Sequence, residues 1–486
     1  MLKMLPFTAV ILPVFISVFI GILGKKSKKT VEVLTIFTTI FTASIVFVIM
    51  LNTIKGPVLE QEIIKVNPFL AIKFKVDAFG ILFSTLASVL WVFASFYSIG
   101  YMAHGESVHR YFTFFAMCLG ITLGIAFSGN LFTFYIFYEL LTLATYPLVV
   151  HKENFEAMAA GKKYLAYSLS GAALILLAII VTYGLTENLE FIPKGVFNAV
   201  TDNYVTLRCL FYAYFIGFGV KAAIVPLHSW LPSAMVAPTP VSALLHAVAV
   251  VKSGVFAIIR VVYFVYSPEL LIKLGLQELL LIIITITIIF GSVLALSQKN
   301  LKKRLAYSTI SQLGYILLGG VLFSKGGLTG GLLHIVNHAL LKITLFFCAG
   351  SIIVMTGKTE IEELRGIGRQ MPITMLCFTV ASIGLIGIPP TNGFVSKWYL
   401  SLGSLEVNRP FYIIILLISA FLTAGYLIPV IVKAFFEGKE INKLESKEPP
   451  LNMLLPIVII TLLGVLFGVL PDLPLIIVKK VVGNFY

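Results

Sequence analysis

Nine ionisable side chains stand in sequence that is otherwise apolar: Glu139, Lys221, His228, His246, Lys252, His334, His338, Lys342 and Lys397. A charge at bilayer depth costs about 2.5–3.5 kcal/mol on insertion scales, so a residue of this kind normally faces a polar interior and has a task there. Glu139, in Phe-Tyr-Ile-Phe-Tyr-Glu-Leu-Leu-Thr, needs a cationic partner, and Lys221 is the best candidate. Pairing favours the charged form of each group, whereas desolvation favours the neutral form. A pair balanced in this way changes its proton affinity when a neighbouring charge moves, which is what a pump requires. The plainer alternative is a static ion pair that fixes helix packing.

His334, His338 and Lys342 lie at i, i+4 and i+8 in Gly-Leu-Leu-His-Ile-Val-Asn-His-Ala-Leu-Leu-Lys, which puts them on one helical stripe. Imidazoles and an amine in line can exchange protons; histidines hydrogen-bonded across helices would show the same spacing. His-Ile-Val-Asn-His lacks the glutamate of the zinc-protease motif and no further ligand is evident, so no metal is expected. His246 and Lys252 are six residues apart, roughly 120° around an ideal helix, so water or a helix break must help them share one path. Arg260 and Lys433 fall near span ends and are expected to snorkel to the interface. Asp77, Glu106 and Asp202 fall in or near loops and receive no role.

The elements that must position these groups follow from composition. Of 486 residues 59% are hydrophobic and 12% charged, against about 25% charged in soluble domains, so the chain reads as a polytopic membrane protein. The net charge of +14 comes from lysines in short loops beside apolar spans, with no basic stripe interleaved with aromatics. Nucleic acid is therefore not an expected partner. The four cysteines are isolated, so no iron–sulfur cluster, zinc site or other cofactor is expected in this chain. The first apolar run is long and its lysines follow it, which marks a retained span rather than a cleaved signal.

Hydropathy predicts an all-α bundle of about 14 transmembrane helices, at roughly 5–24, 31–51, 78–102, 111–128, 131–150, 160–184, 207–227, 241–264, 271–297, 305–323, 329–356, 373–401, 411–436 and 451–470. Two of these are broken. The seventh breaks at Pro226 and Pro232, before Pro238 and Pro240, and the twelfth at Gly387-Ile-Pro-Pro-Thr-Asn-Gly393, just ahead of Lys397. Broken helices at membrane depth survive only where the freed backbone is buried in protein or lines a hydrated cavity. One break in each half suggests two inverted five-helix repeats, 111–264 (helices 4–8) and 271–436 (helices 9–13). They would be flanked by 1–110 (helices 1–3) and 451–486 (helix 14 and a short tail). Lysine bias in the loops at 25–29, 152–163, 299–304, 358–369 and 439–447 places those loops in the cytoplasm and both termini outside a plasma membrane.

Val220-Lys-Ala-Ala-Ile-Val-Pro-Leu-His-Ser-Trp-Leu-Pro232, Ala237-Pro-Thr-Pro-Val-Ser-Ala-Leu-Leu-His246 and Lys303-Arg-Leu-Ala-Tyr-Ser-Thr-Ile-Ser-Gln-Leu-Gly314 resemble the antiporter-like subunits of respiratory complex I. The same family includes the large subunits of Mrp-type Na+/H+ antiporters and of membrane-bound energy-converting hydrogenases. His334–Lys342 and Gly387–Phe394 also fit, and the resemblance covers roughly residues 75–435. It implies fourteen helices with two inverted repeats, broken helices seven and twelve, and a line of charges across the midplane. By motif, Glu139 is the helix-five glutamate, Lys221 the helix-seven lysine, Lys252 the helix-eight lysine and Lys397 the charge of the second broken helix. A lysine at that last position, where other members carry glutamate, is similar to the D-type Mrp subunit.

The expected function is translocation of H+, with Na+ as the second candidate, by a membrane subunit of a redox-driven complex. Its partners would be the lipid bilayer and the other subunits of a multisubunit membrane complex, including redox subunits carrying iron–sulfur clusters. The alternatives are a subunit of an Mrp-type antiporter without redox partner, a paralogue that keeps its charges for packing, and an independent solute transporter.

Overall fold

Helix starts in this chain are written by short polar side chains. Ser27, Asp77, Asn130, Asn154, Asn203, Ser267, Asn300 and Ser324 each accept the backbone N–H three residues on, which satisfies one of the donors a helix start leaves free. The computed structural model describes residues 2–67, 70–103, 105–197, 203–437 and 447–486. Asp202, Lys439 and Lys443 therefore lie outside the described residues. In order come α1 (Leu5–Leu23) and α2 (Lys28–Lys55), then strands β1 (Leu59–Asn67) and β2 (Leu70–Val76), then α3 (Ala78–Tyr101), α4 (Val108–Phe127), α5 (Leu131–Val149) and α6 (Phe155–Thr186). The first broken segment is α7 (Tyr204–Lys221), a single turn α8 (Trp230–Ser233), α9 (Thr239–Ala247) and α10 (Val250–Arg260), which runs into a π-helical turn at Val261–Val265. A short α11 (Pro268–Lys273) leads to α12 (Gln277–Ser297), α13 (Leu301–Val321) and α14 (Lys325–Thr356). The second break separates α16 (Pro372–Ile386), preceded by the turn α15 (Ile367–Gln370), from α17 (Asn392–Glu406). The chain closes with α18 (Phe411–Phe436), α19 (Leu451–Val469) and α20 (Asp472–Val482).

Among the described residues eleven helical runs are long and apolar enough to cross a membrane. The other three expected spans coincide with α7, α13 and the α16–α17 pair, whose charges or break lower their mean hydropathy. The hairpin β1–β2, antiparallel with Leu59 opposite Val76, was not anticipated. Its alternating charges let Lys73 sit between Glu60 and Glu190, so it packs as a polar cover at one end of the bundle, here termed the hairpin face.

Two more expectations need correction. The helix read as continuous over 241–264 is interrupted at Val248–Ala249, where both N–H groups donate to the carbonyl of Leu244. Arg260 does not snorkel: it is buried and its guanidinium holds both oxygens of Asp77, a residue given no role. Hydropathy could not see this pair because its members are 183 residues apart in sequence.

The centre of the bundle is made by α9, α10 and α14. Every residue from Thr239 to Val265 is buried, as is the stretch of α14 from Gly326 to Ile352. The outer helices expose large apolar side chains such as Phe15, Leu177, Ile282 and Phe421, the surface a lipid phase would cover. Several features recur 170 positions on. The 32-residue helices α6 and α14 start at 155 and 325, and the isolated backbone bridges Asn130–Glu190 and Asn300–Glu360 repeat at 130 to 300 and 190 to 360.

Candidate ion path

Both breaks place an ammonium group at the C-terminal end of a half-helix, where exposed carbonyls and the helix dipole favour a cation. In the first, Lys221 is the last residue of α7. Its Nζ donates to the carbonyl of Tyr138, lies 3.4 Å from the centre of the Tyr138 ring, and stands 3.9 Å from Glu139 Oε1. That last separation is an ion pair without a hydrogen bond, and Glu139 Oε1 has no hydrogen-bond partner. The end of α7 is completed from beyond the break: Trp230 Nε1 donates to the Val220 carbonyl at 2.7 Å. Gly254 lets α10 close against it, since a Cβ there would stand 2.3 Å from Ala222 N.

In the second break the lysine comes from the following half-helix. Lys397 Nζ on α17 donates to the carbonyls of Leu385 and Ile386, at 2.8 and 2.7 Å, and so caps α16. Gly387 ends α16 at φ +96°, and a Cβ on it would meet the Lys397 stem at 2.7 Å, so glycine serves both the turn and the lysine.

Between the breaks lies α14. Its glycines let backbones touch: a Cβ on Gly403 of α17 would lie 2.0 Å from Gly327 N, and one on Gly331 2.8 Å from the Ile316 carbonyl of α13. That close approach brings the polar groups into reach. Lys252 Nζ and His338 Nδ1 are 3.0 Å apart, both fully buried. His334 bonds Ser396 Oγ at 2.8 Å and Gln312 Oε1 at 3.0 Å, and its ring stacks on Tyr315. Lys342 Nζ reaches the Leu305 carbonyl at 3.1 Å and Ser308 Oγ.

The predicted stripe thus exists as a set of neighbours rather than a chain of direct bonds. His334 and His338 face each other with ring centres 5.9 Å apart, but each bonds to a different helix. His246 is buried against Phe346, with neither ring nitrogen partnered, which places it beside the line. His228 is half-buried, packed on Phe290 and Tyr307 away from the other groups. Lys433 meets Glu362 at the bundle surface.

Sequence reading missed Ser308, Gln312 and Ser396. Their signal was present: Ser308 and Gln312 are four apart in an apolar helix and so share a face. It also took Lys302 for a loop charge, whereas Lys302 is buried and donates to the Ala237 carbonyl at 2.7 Å.

Residues 128–423 match the family described as NADH:quinone oxidoreductase/Mrp antiporter, transmembrane, and residues 66–112 match the N-terminus of complex I chain 5. The chain belongs to this family. NADH-quinone oxidoreductase subunit N of Desulforudis audaxviator is 34% identical over 372 residues, covering 74% of this chain and 74% of the relative. The chloroplast NAD(P)H-quinone oxidoreductase subunit 5 of Chara vulgaris is 34% identical, over 84% of this chain and 64% of that one. Na(+)/H(+) antiporter subunit A1 of Staphylococcus haemolyticus is 30% identical, over 96% of this chain and 61% of that one. The chain therefore spans less than two thirds of the last two. Among solved structures, a chain of the membrane-bound sulfane sulfur reductase, an archaeal respiratory membrane complex, superposes with a TM-score of 0.89 at 26% identity, over 99% of this chain and 97% of that one. A chain of the Mrp complex from Dietzia sp. DQ12-45-1b does so with 0.89 at 21%, over 100% and 97%, which shows the shared fold. The protein is thus an antiporter-like, multi-pass membrane subunit, and the relatives named are subunits of larger membrane assemblies.

Proposed function

We propose that this chain moves H+ through a redox-driven membrane complex, along Glu139, Lys221, Lys252, Lys342, His338, His334 and Lys397. Na+ is the second candidate ion. The observation that carries the reading is the Lys252–His338 contact across α10 and α14, 3.0 Å in the wholly buried centre. An amine and an imidazole at that distance can pass one shared proton between them. The unpartnered nitrogens of His246 and His338 support it, because buried polar groups of this kind are held by internal water. The loose Glu139–Lys221 pair supplies a charge whose balance a neighbouring event can tip.

The likeness to a chain of the sulfane sulfur reductase, a respiratory membrane complex, supports redox partners, which we propose carry iron–sulfur clusters, and the constant 170-residue offset supports two repeats at 111–264 and 271–436. The lysine-rich loops support a cytoplasmic position for the face opposite the hairpin, with both termini outside a plasma membrane. Coverage of 96% of the chain by antiporter subunit A1 favours, as the second reading, an Mrp-type assembly without redox chemistry. Extraction of the native complex in mild detergent and identification of its chains tests the choice. Partners with cluster-binding cysteine motifs support the redox-driven reading, small membrane partners alone support the antiporter, and a chain that purifies by itself overturns both.

A further inference from the structure

The face opposite the hairpin carries a polar cleft of about 270 Å³ lined in part by Lys152, Glu156, Thr239, Asn300, Lys302 and Thr359. A second cleft of about 260 Å³ adjoins it, sharing Glu156, Val236 and Lys303. Lys302 is the cleft's buried amine, 9% exposed, bonded to the carbonyl that precedes Pro238 and α9. From Lys302 a line of groups runs inward along α13. Leu305, three residues on, neighbours Lys302 on the helix surface, and its carbonyl together with the Ser308 hydroxyl, three residues further in, holds the Nζ of Lys342. Gln312, four residues further, holds His334. The polar groups of α13 thus begin in a surface cleft and end at a buried histidine.

We propose that this cleft is the mouth through which the transported ion reaches the buried line, with Lys302 as the residue that passes a proton inward to Lys342. The inference rests on the ion-translocation reading and adds the entrance. The gap is short: Lys302 and Ser308 are separated by about 9 Å of helix rise, which one or two waters and the Ser308 hydroxyl can span. Lysine suits the task because its amine gives up and regains a proton, while the ordinary alternative, a lysine that only anchors the Ala237 carbonyl, would be served equally by arginine.

The test uses the assembled complex in sealed vesicles, with Cys209, the exposed cysteine, replaced by serine. Lys302→Arg is expected to lower proton flux roughly tenfold or more, as Lys302→Ala does, because a guanidinium does not release its proton. Lys302→Cys is then treated with thiosulfonate reagents, and sidedness is read with the permanently charged, membrane-impermeant trimethylammonium reagent. Labelling is expected only from the face opposite the hairpin. An ethylammonium adduct should restore the larger part of the flux, and a trimethylammonium adduct, with a permanent charge and no proton, should not. Normal flux in Lys302→Arg, or equal rescue by both adducts, overturns the relay. Failure to label both Lys302→Cys and Glu156→Cys from that face overturns the mouth, and the second variant decides the matter if the first does not assemble. An unmodified complex with no ion flux but normal labelling sinks the ion-translocation reading, and the relay with it, while leaving the cleft open to water.

Discussion

Asp77–Arg260 and Glu139–Lys221 are both acid–base pairs buried in one bundle, and they are built in opposite ways. The Arg260 guanidinium takes both oxygens of Asp77, and four rings (Phe79, Phe191, Phe256 and Phe264) stand within 4.5–5.2 Å of it. Asp77 Oδ1 is further tied to the Gly80 N–H at the start of α3. Every strong contact is direct, so neither charge can change without loss of the whole arrangement. Glu139 and Lys221 are 3.9 Å apart, with one carboxylate oxygen unpartnered and the ammonium shared with a carbonyl and a ring. The tight pair fastens α10 to α3; the loose pair keeps each charge available to something else.

The contrast breaks most sharply by mutation of the tight pair. Arg260→Ala or Asp77→Ala alone should cost about 3–5 kcal/mol, because it strands a buried charge. The check is the thermal stability of the purified complex. The double change Asp77→Leu with Arg260→Met should recover most of that loss and leave flux per assembled complex intact; a double variant that assembles but conducts nothing would mean the pair has a transport role.

The loose pair should answer in the other way. Glu139→Gln and Lys221→Ala are expected to lower ion flux by roughly 10²-fold, the scale of a removed proton-transferring group, while stability falls less than for the tight pair because fewer direct bonds are lost. Reconstituted flux with a parallel melting curve measures both. Unchanged flux in the two variants would reduce this pair to packing as well.

Gly254 sharpens the comparison by acting on geometry alone. A Cβ there meets backbone, so Gly254→Ala should cost about 1–3 kcal/mol by overpacking and should also lower flux, because it moves α10 and Lys252 away from the end of α7. At the small end, Lys433→Ala removes an ion pair whose partner Glu362 is 64% exposed, and should leave the melting temperature and the flux unchanged.

Much of the candidate path was legible in the sequence because a charge in an apolar run is conspicuous wherever it lies. Glu139, Lys221, Lys252, His334, His338, Lys342 and Lys397 are found that way, and proline and glycine announce both breaks. Reading failed where the signal was not local. Arg260 looks like a snorkelling cation until Asp77 is seen beside it. Lys302 looks like a loop charge because it opens the basic run Lys302-Lys303-Arg304, of which it alone is buried. The interruption at Val248–Ala249 has no proline or glycine to betray it; it lies in the fully buried centre, where both N–H groups turn to the Leu244 carbonyl.

The sequence by itself determined the membrane class, the positions of the broken helices and the residues able to carry charge, since these depend on side-chain chemistry and short-range backbone rules. Tertiary structure alone decided which of those residues meet. Lys252 faces His338 across 86 positions of chain and Lys342 reaches Ser308 across 34. Helical periodicity fixes the direction of a side chain only within its own helix. The glycine contacts of α10, α14 and α17 set how close two helices come, and a proton can pass only between groups that are within hydrogen-bond reach of each other or of a bridging water.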